Sequence, residues 1–425
     1  MRELLTVEQY QAELLELVRP DPRAELVAVD AASGRVLAGD VVSGVSIPVF
    51  ANSAMDGYAV RFTDVIDVPV TLRVVGDVPA GSDSDPDAAP GECVRIMTGA
   101  PLPSFADTVV PIEETKRPPE TGGNGSRASQ RWPEMEPSPF RTGSGLTITV
   151  TQAPAARGRH VRRAGEDFAT GARIAVAGTT VTPATAGELA AIGLTSVPVR
   201  PRPVVAVRST GDELVTDGSA LGRGQIYESN SVVLTAALSS WGADVRRSGT
   251  ARDDADALAE WLDAVSADLV VLTGGASVGA FDVVRDVLEA AGGTFRSVRV
   301  QPGKPQGWAV WNGVPVVSLP GNPLSAALSC ELFVRPMLDR MLGRPERPWL
   351  TAVAGAAWTS PAGRRQLVPV RLSSDTDGRL VAAPSHRRGS ASHVVSSLAE
   401  ADGYCAVAED VTAVAAGDLV RARWL

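Results

Sequence analysis

Three short segments of this 425-residue chain combine the residue types that hold anions. Ser209-Thr210-Gly211-Asp212-Glu213 follows the apolar run VVAVR and joins hydroxyls and a glycine to carboxylates. It suits a hydroxylated or phosphorylated ligand, and it equally suits a plain turn in which Asp212 caps the next segment. Thr273-Gly274-Gly275-Ala276-Ser277-Val278-Gly279 follows DLVVL, and its glycines let backbone N–H groups approach a phosphate at the start of a helix. Asp282, three residues on, is either a metal-ligating carboxylate or, as is commoner for a lone Asp there, that helix's N-cap. Pro320-Gly321-Asn322-Pro323-Leu324-Ser325 follows GVPVVSL; Asn322 at N-cap and Pro323 at N1 would start a long helix with its free N–H groups and the Ser325 hydroxyl beside it. Upstream, Gln301-Pro302-Gly303-Lys304-Pro305 braces Lys304 between prolines, more stiffening than a merely solvated lysine needs.

The elements around these segments explain why they should meet. From Pro203 the text alternates apolar strands with helices: VVAVRST, a helix over SVVLTAALSSWG capped by Asn230, ADVRRSGT, then DDADALAEWLDAV. The last carries Leu258, Trp261, Leu262 and Val265 at helical spacing, so it shows one apolar face. DLVVLTGG and DVVRDVLEAAGG continue the alternation, which predicts parallel pairing with right-handed crossovers over 203–340. In such a sheet ligands lie beyond the carboxyl ends of the strands, where the three segments fall. Together they suit a ligand with more than one anionic group.

The flanks read differently. Thr6 is the expected N-cap of a first helix that should stop near Pro20. Glu25 to about Leu102 has short apolar runs punctuated by Gly and Pro, the mark of a β-rich domain. The polar stretch from Lys116 to about Gly145 is expected to be an exposed loop, and LVPVRL, RLVAAP and DLVRARW after Gly343 predict a small C-terminal β-domain. Trp241, Trp261, Trp308 and Trp311 are read as packing residues.

Composition narrows the function class. A net charge of −9 argues against nucleic acid or an anionic membrane as main partner, while leaving room for a locally positive pocket. Cys93, Cys330 and Cys405 lie far apart and make no zinc-like spacing with His160, His386 and His393, which fits buried thiols in a reducing cytosol. The amphipathic, acid-bearing N-terminus is neither a signal nor a transit peptide, and no apolar run reaches the ~18 residues that span a bilayer. A soluble cytoplasmic protein is expected.

ANSAMDGYAV (51–60), RIMTGAPLP (95–103), ATAGELAAIG (184–193), STGDEL (209–214), TGGASVG (273–279), QPGKP (301–305) and LPGNPLS (319–325) occur in the order seen in the MoeA and gephyrin E-domain family. The chain resembles these molybdopterin molybdenumtransferases over nearly its whole length, apart from the 116–145 loop. The resemblance implies a multidomain α/β plus β fold and an elongated homodimer. A discontinuous elongated domain would take 1–24, 42–50 and 157–200, and an inserted β-rich domain 25–41 and 51–156. A MogA-like doubly wound α/β domain would cover 203–343 and a C-terminal β-barrel-like domain 344–425. The active site would lie between the α/β domain of one subunit and the β-rich domain of the other.

By the same resemblance, Asp56 and Thr98 belong to the active-site face of the β-rich domain, with Glu188, Glu228 and Asp282 as further catalytic carboxylates. Ser209, Thr210, Gly211, Asp212, Gly274, Gly275, Ser277, Gly279 and Asn322 would bind molybdopterin-AMP. Ser277, Gln301, Lys304, Pro305 and Ser325 would bind molybdate, with Arg364 or Arg371 and Ser390 or Ser392 from the last domain. Asp282 and Glu228 would hold Mg²⁺, which neutralises the substrate's pyrophosphate. Molybdate, a tetrahedral dianion, suits Lys, Arg, hydroxyls and backbone N–H groups. Gln301 stands where many members carry Lys, Glu228 where Asp is frequent, Ala51 where Asp is common and Leu367 where an aromatic is usual. The implied partners are small-molecule substrates, a second copy of the chain, and other molybdenum cofactor biosynthesis proteins and molybdoenzymes. Two other functions fit parts of the same sequence: a MogA-type adenylyltransferase, against which AMDGYA and MTGAPLP count, and a non-catalytic, gephyrin-like scaffold.

Overall fold

The computed structural model describes residues 4–116, 146–251, 254–274, 283–386, 392, 394 and 396–425. The expected 116–145 loop, Lys116 apart, therefore lies outside the described residues. The chain forms two compact units: residues 1–40, 176–187 and 195–425 make the first, and 41–175 with 188–194 the second.

The first unit opens with helix Val7–Glu16, which ends before Pro20 is reached. Thr6 and Gln9 build a capping box: the Thr6 hydroxyl accepts from Gln9 N at 3.2 Å, and Thr6 N donates to Gln9 Oε1 at 2.8 Å. Val7, Tyr10 and Leu14, at i, i+3 and i+7, are fully buried, and Tyr10 meets Phe333 edge-on at 4.9 Å. Strand Glu25–Ala28 pairs antiparallel with Ser196–Val199. This corrects one boundary, because 25–41 was expected with the β-rich domain, whereas 25–40 belong to the first unit.

The central sheet runs in the order Asp244–Ala251, Val204–Thr210, Leu269–Thr273, Val314–Leu319, Pro305–Trp311, Thr294–Ser297. Alternate side chains face opposite layers. Val205, Val207, Leu269, Val271, Val317 and Leu319 lie under Leu234 and Leu238 of helix Asn230–Ser240 and Leu324 and Leu328 of helix Pro323–Ser329. Ala206, Val270, Leu272 and Val316 lie under Leu258 and Leu262 of helix Ala255–Ala264 and Val284 and Leu288 of helix Val283–Ala290. Strands buried on both faces have no polar side, hence their continuous apolar text. The parallel expectation holds for four strands. Thr294–Ser297 points the same way as these four, and only Pro305–Trp311 between them is reversed, because Asn312 and Gly313, both at positive φ, make the tight connection from it into Val314–Leu319.

The predicted long helix occupies 323–342, with a π turn over Cys330–Val334 inside it. Pro336 explains the irregularity. It lacks the N–H that Leu332 O would accept in a regular helix, and Gln11 Nε2 donates to that carbonyl instead, at 2.8 Å. Gly343, at φ +70°, ends the helix in the left-handed conformation.

Beyond it, strands Arg365–Ser374, Leu380–Pro384, Leu350–Ala354, Leu419–Trp424 and Gly403–Val407 pair in turn, and the last pairs back to the first. That closes a five-stranded barrel with the small interior its alanines suit, Ala352, Ala354, Ala382 and Ala422. Strand Val300–Gln301 adds parallel to Arg365–Gln366, tying the QPGKP segment to the barrel.

In the second unit a six-stranded sheet runs Thr108–Pro111, Gly57–Val60, Glu92–Ile96, Val70–Val78, Thr147–Val150, Thr115–Lys116. Tyr58, Val60, Leu72 and Ile148 pack on one face, Ala59, Val78, Val94 and Ile96 on the other. Gly57 is required here because a Cβ would strike the Val110 carbonyl oxygen. Cys93, Cys330 and Cys405 are free and buried, and no described helix is long and apolar enough to cross a membrane.

Candidate functional site

The ends of the adjacent parallel strands Val204–Thr210, Leu269–Thr273 and Val314–Leu319 lie side by side, which brings the sequence-predicted segments to one edge. Thr273 Oγ1 donates to Ser209 Oγ at 3.2 Å, and Thr210 Oγ1 donates to Thr273 O at 3.4 Å. Gly274, at φ +94°, sits where a Cβ would strike the Thr210 carbonyl. Asn230 Nδ2 then bridges two loops, donating to Thr273 Oγ1 at 3.3 Å and to Gly321 O at 2.7 Å. Asn230 is thus a tie between loops and not the expected cap. Neither its spacing nor its helix-start position hinted at that role.

The cap comes from Glu228. Its Oε1 accepts from Ser231 N at 2.7 Å and from Ser209 Oγ at 2.8 Å, and its Oε2 accepts from Ser231 Oγ at 2.6 Å. Arg247 stands 3.8 Å from Oε2, and the Glu228 side chain is only 1% exposed. A carboxylate with its lone pairs spent in this way is not one held open to an ion, so the expectation that Glu228 ligates Mg²⁺ is corrected to capping and positioning. Ser231 and Arg247, which sequence reasoning missed, complete this network.

The helix that begins at Pro323 receives the barrel's contribution. Asn322 makes no side-chain cap; its Nδ2 donates to Ser392 Oγ at 3.2 Å, while Leu324 N donates to Ser392 O at 3.2 Å. Ser325 is buried at the same helix start. Gln306 Nε2 donates to Gly303 O at 2.7 Å and to Ser329 Oγ at 2.8 Å, fixing the turn that carries exposed Lys304 and leads to Pro305. Arg364 Nη1 donates to Gln301 Oε1 at 3.3 Å, so this arginine stands by the oxyanion-suited segment. Arg371 does not. It lies six residues along the strand from Arg365, about 20 Å at the usual rise, and pairs with Glu400 at 2.9 Å. Asp212 is exposed beside Gly211 at the end of the first loop.

Gly275, Ser277, Gly279, Asp282 and Ser390 lie outside the described residues. Among the described residues no three His, Cys, Asp or Glu side chains cluster to hold a metal. With Glu228 committed elsewhere, the described donors do not by themselves build a magnesium site.

In the second unit, Thr98 N and Thr98 Oγ1 both donate to Asp56 Oδ1, at 2.7 and 2.8 Å. The two residues, 42 apart in sequence, therefore form one polar pair at the rim of the sheet, where Gly57–Val60 pairs with Glu92–Ile96. Glu188 is exposed on helix Pro183–Ala191.

These features define a multidomain α/β protein whose anion-suited loops share one sheet edge, with a closed barrel reaching the same edge through Ser392 and Arg364. Comparisons with known proteins carry this further. Residues 5–193 match the MoeA N-terminal region (domain I and II), 206–340 a probable molybdopterin binding domain, and 351–423 the MoeA C-terminal region (domain IV). The chain is 40% identical to molybdopterin molybdenumtransferase 2 of Mycobacterium tuberculosis over 97% of each protein, and 32% identical to the molybdopterin molybdenumtransferase of Bacillus subtilis over 89% of this chain and 85% of that one. A solved MoeA structure from Pyrococcus horikoshii superposes with TM-score 0.81 over 100% of both chains, at 26% identity. The chain belongs to the MoeA family of molybdenum cofactor biosynthesis proteins.

Proposed function

We infer that this protein inserts molybdate into adenylylated molybdopterin with release of AMP, forming molybdenum cofactor. The observation that carries the reading is the Asn230 bridge between Thr273 and Gly321, with Asn322–Ser392 and Gln301–Arg364 bringing the barrel to the same edge. Such an assembly offers hydroxyls, helix-start N–H groups and two cations to a ligand with separate anionic groups.

In this proposal Ser209, Thr210, Gly211, Asp212, Gly274 and Asn322, with Gly275, Ser277 and Gly279, hold the pterin-linked nucleotide. Lys304, Ser325, Arg364 and Ser392 hold molybdate, beside Gln301 and Pro305. Glu228 keeps Ser209 and the start of helix Asn230–Ser240 in place. Asp282 is the carboxylate left to hold Mg²⁺, which would neutralise the pyrophosphate; Asp56, Thr98 and Glu188 are proposed to act on the same substrate. Water adds as the phosphoanhydride breaks and AMP leaves, and the two dithiolene thiols take molybdenum from molybdate, whose one displaced oxo oxygen departs with their protons as water. The protein is proposed to act as a cytoplasmic homodimer.

Purified protein given molybdopterin-AMP, molybdate and Mg²⁺ should release AMP without ATP. Accumulation of adenylylated pterin from ATP would instead make it an adenylyltransferase, and binding with no turnover would make it a scaffold. Asp282→Asn is expected to stay folded by circular dichroism and to lose most of its AMP release; wild-type turnover would show that Asp282 is only a helix cap.

A further inference from the structure

Another charged region lies along the second half of helix 323–342, which ends about 30 Å from its start at 1.5 Å per residue. A cavity of about 390 Å³ opens there, lined by Leu15, Pro20 and Pro336 together with five arginines. That volume lies in the range of small-ligand pockets. We propose that this cleft is a second ligand site, distinct from the loop edge described above, which takes a small phosphorylated organic molecule.

Charge makes the case. Arg335, Arg340, Arg344, Arg347 and Arg423 line the cleft against Glu331, Asp339 and Glu346. One carboxylate serves two guanidiniums: Glu331 accepts from Arg335 Nη1 at 2.9 and 3.0 Å, and also from Arg347. Glu346 pairs with Arg423 at 3.4 Å, but its side chain is 90% exposed, where water screens the pair. Asp339 stands 3.5 Å from Arg344, and burial pushes its carboxyl above the usual range, which weakens it as a counter-charge. Arg340 is exposed at the lip and makes no ion pair among the described residues.

Structural duties do not use up these groups. Arg344 donates to Trp241 O, the buried Arg423 to Arg347 O and Arg347 to Trp424 O, yet one carbonyl and one carboxylate leave part of a guanidinium's five donors free. A chain of net charge −9 has thus gathered an excess of cations into a partly enclosed cleft, where low-dielectric walls focus their field on an incoming anion. The guanidinium fork matches phosphate oxygens two at a time, and the apolar wall leaves room for an organic portion.

Calorimetric titration of the full chain with inorganic pyrophosphate tests the charged half of this site alone. Saturable binding is expected, weakened tenfold or more by Arg340→Glu and unchanged by Lys304→Ala, which removes a cation from the loop edge. Arg379→Glu, an equal charge change on the exposed surface of the barrel, should leave the affinity within twofold of wild type. The proposal is overturned if Arg340→Glu titrates like wild type, if Arg379→Glu weakens binding as much, or if Lys304→Ala abolishes it. Because the readout is binding, loss of AMP release in any variant leaves this test intact.

Discussion

At the scale of single residues, the clearest result is that two side chains changed employment once their neighbours were in place. Asn230 and Glu228, two positions apart, exchange the roles their types suggest: the amide ties loops and the carboxylate caps the helix. Lys304 keeps the role its prolines imply, exposed on a turn whose carbonyl is held by Gln306. Removing one charge-assisted contact to a bound anion costs about 1.5–3 kcal/mol. Lys304→Ala should therefore raise KM for molybdate by roughly ten- to a hundredfold with a smaller effect on kcat, measured by AMP release against molybdate concentration. Unchanged KM and kcat would place Lys304 away from the oxyanion. Buried thiols give a second test at this scale. Desolvation pushes Cys93 and Cys405 up to about 12, so neither should react with a thiol reagent at pH 8 until the protein is unfolded. Because their folded values are raised, the stability they contribute is complete below the unfolded value near 9 and declines as pH climbs toward 12. Denaturant midpoints measured across that window should fall with rising pH; a flat profile would mean the thiols reach water.

Elements show how local signals become positions. The capping box at Thr6 and the apolar stripe of helix Val7–Glu16 were both readable, and both are present. The hairpin at Asn312-Gly313 was equally readable as an Asn-Gly turn between apolar runs, yet the strand–helix rhythm around it drew attention to parallel pairing. Glu228→Gln keeps the shape of the cap while weakening its charge-assisted bonds, and should cost about 1–2 kcal/mol of stability by chemical denaturation. An unchanged midpoint would show that Ser231 N finds another acceptor. The π turn makes a sharper claim. Gln11→Leu leaves Leu332 O without its donor, so it should cost about 1–3 kcal/mol even though leucine fills similar space. No loss would mean that carbonyl is satisfied without Gln11.

Across the whole molecule, what the amino-acid order determined by itself was local and periodic. Helix caps, apolar stripes, the buried strands of the α/β layer and the glycine- and proline-bearing loops all follow from residues a few positions apart, because steric and hydrogen-bond preferences act over that range. The ordered set of family motifs was legible for the same reason, and it carried the assignment of most candidate residues. Only the tertiary structure decided which distant groups share a hydrogen bond. Asp56 joins Thr98 across 42 positions, Asn322 reaches Ser392 across 70, and Gln301 meets Arg364 across 63, whereas Arg371, seven residues further, is turned to Glu400. It also decided that five strands close a barrel and that Glu25–Ala28 pairs with Ser196–Val199. Such pairings depend on strand register and on which buried faces fit together, free energies that sum over many residues and leave no mark at any one of them.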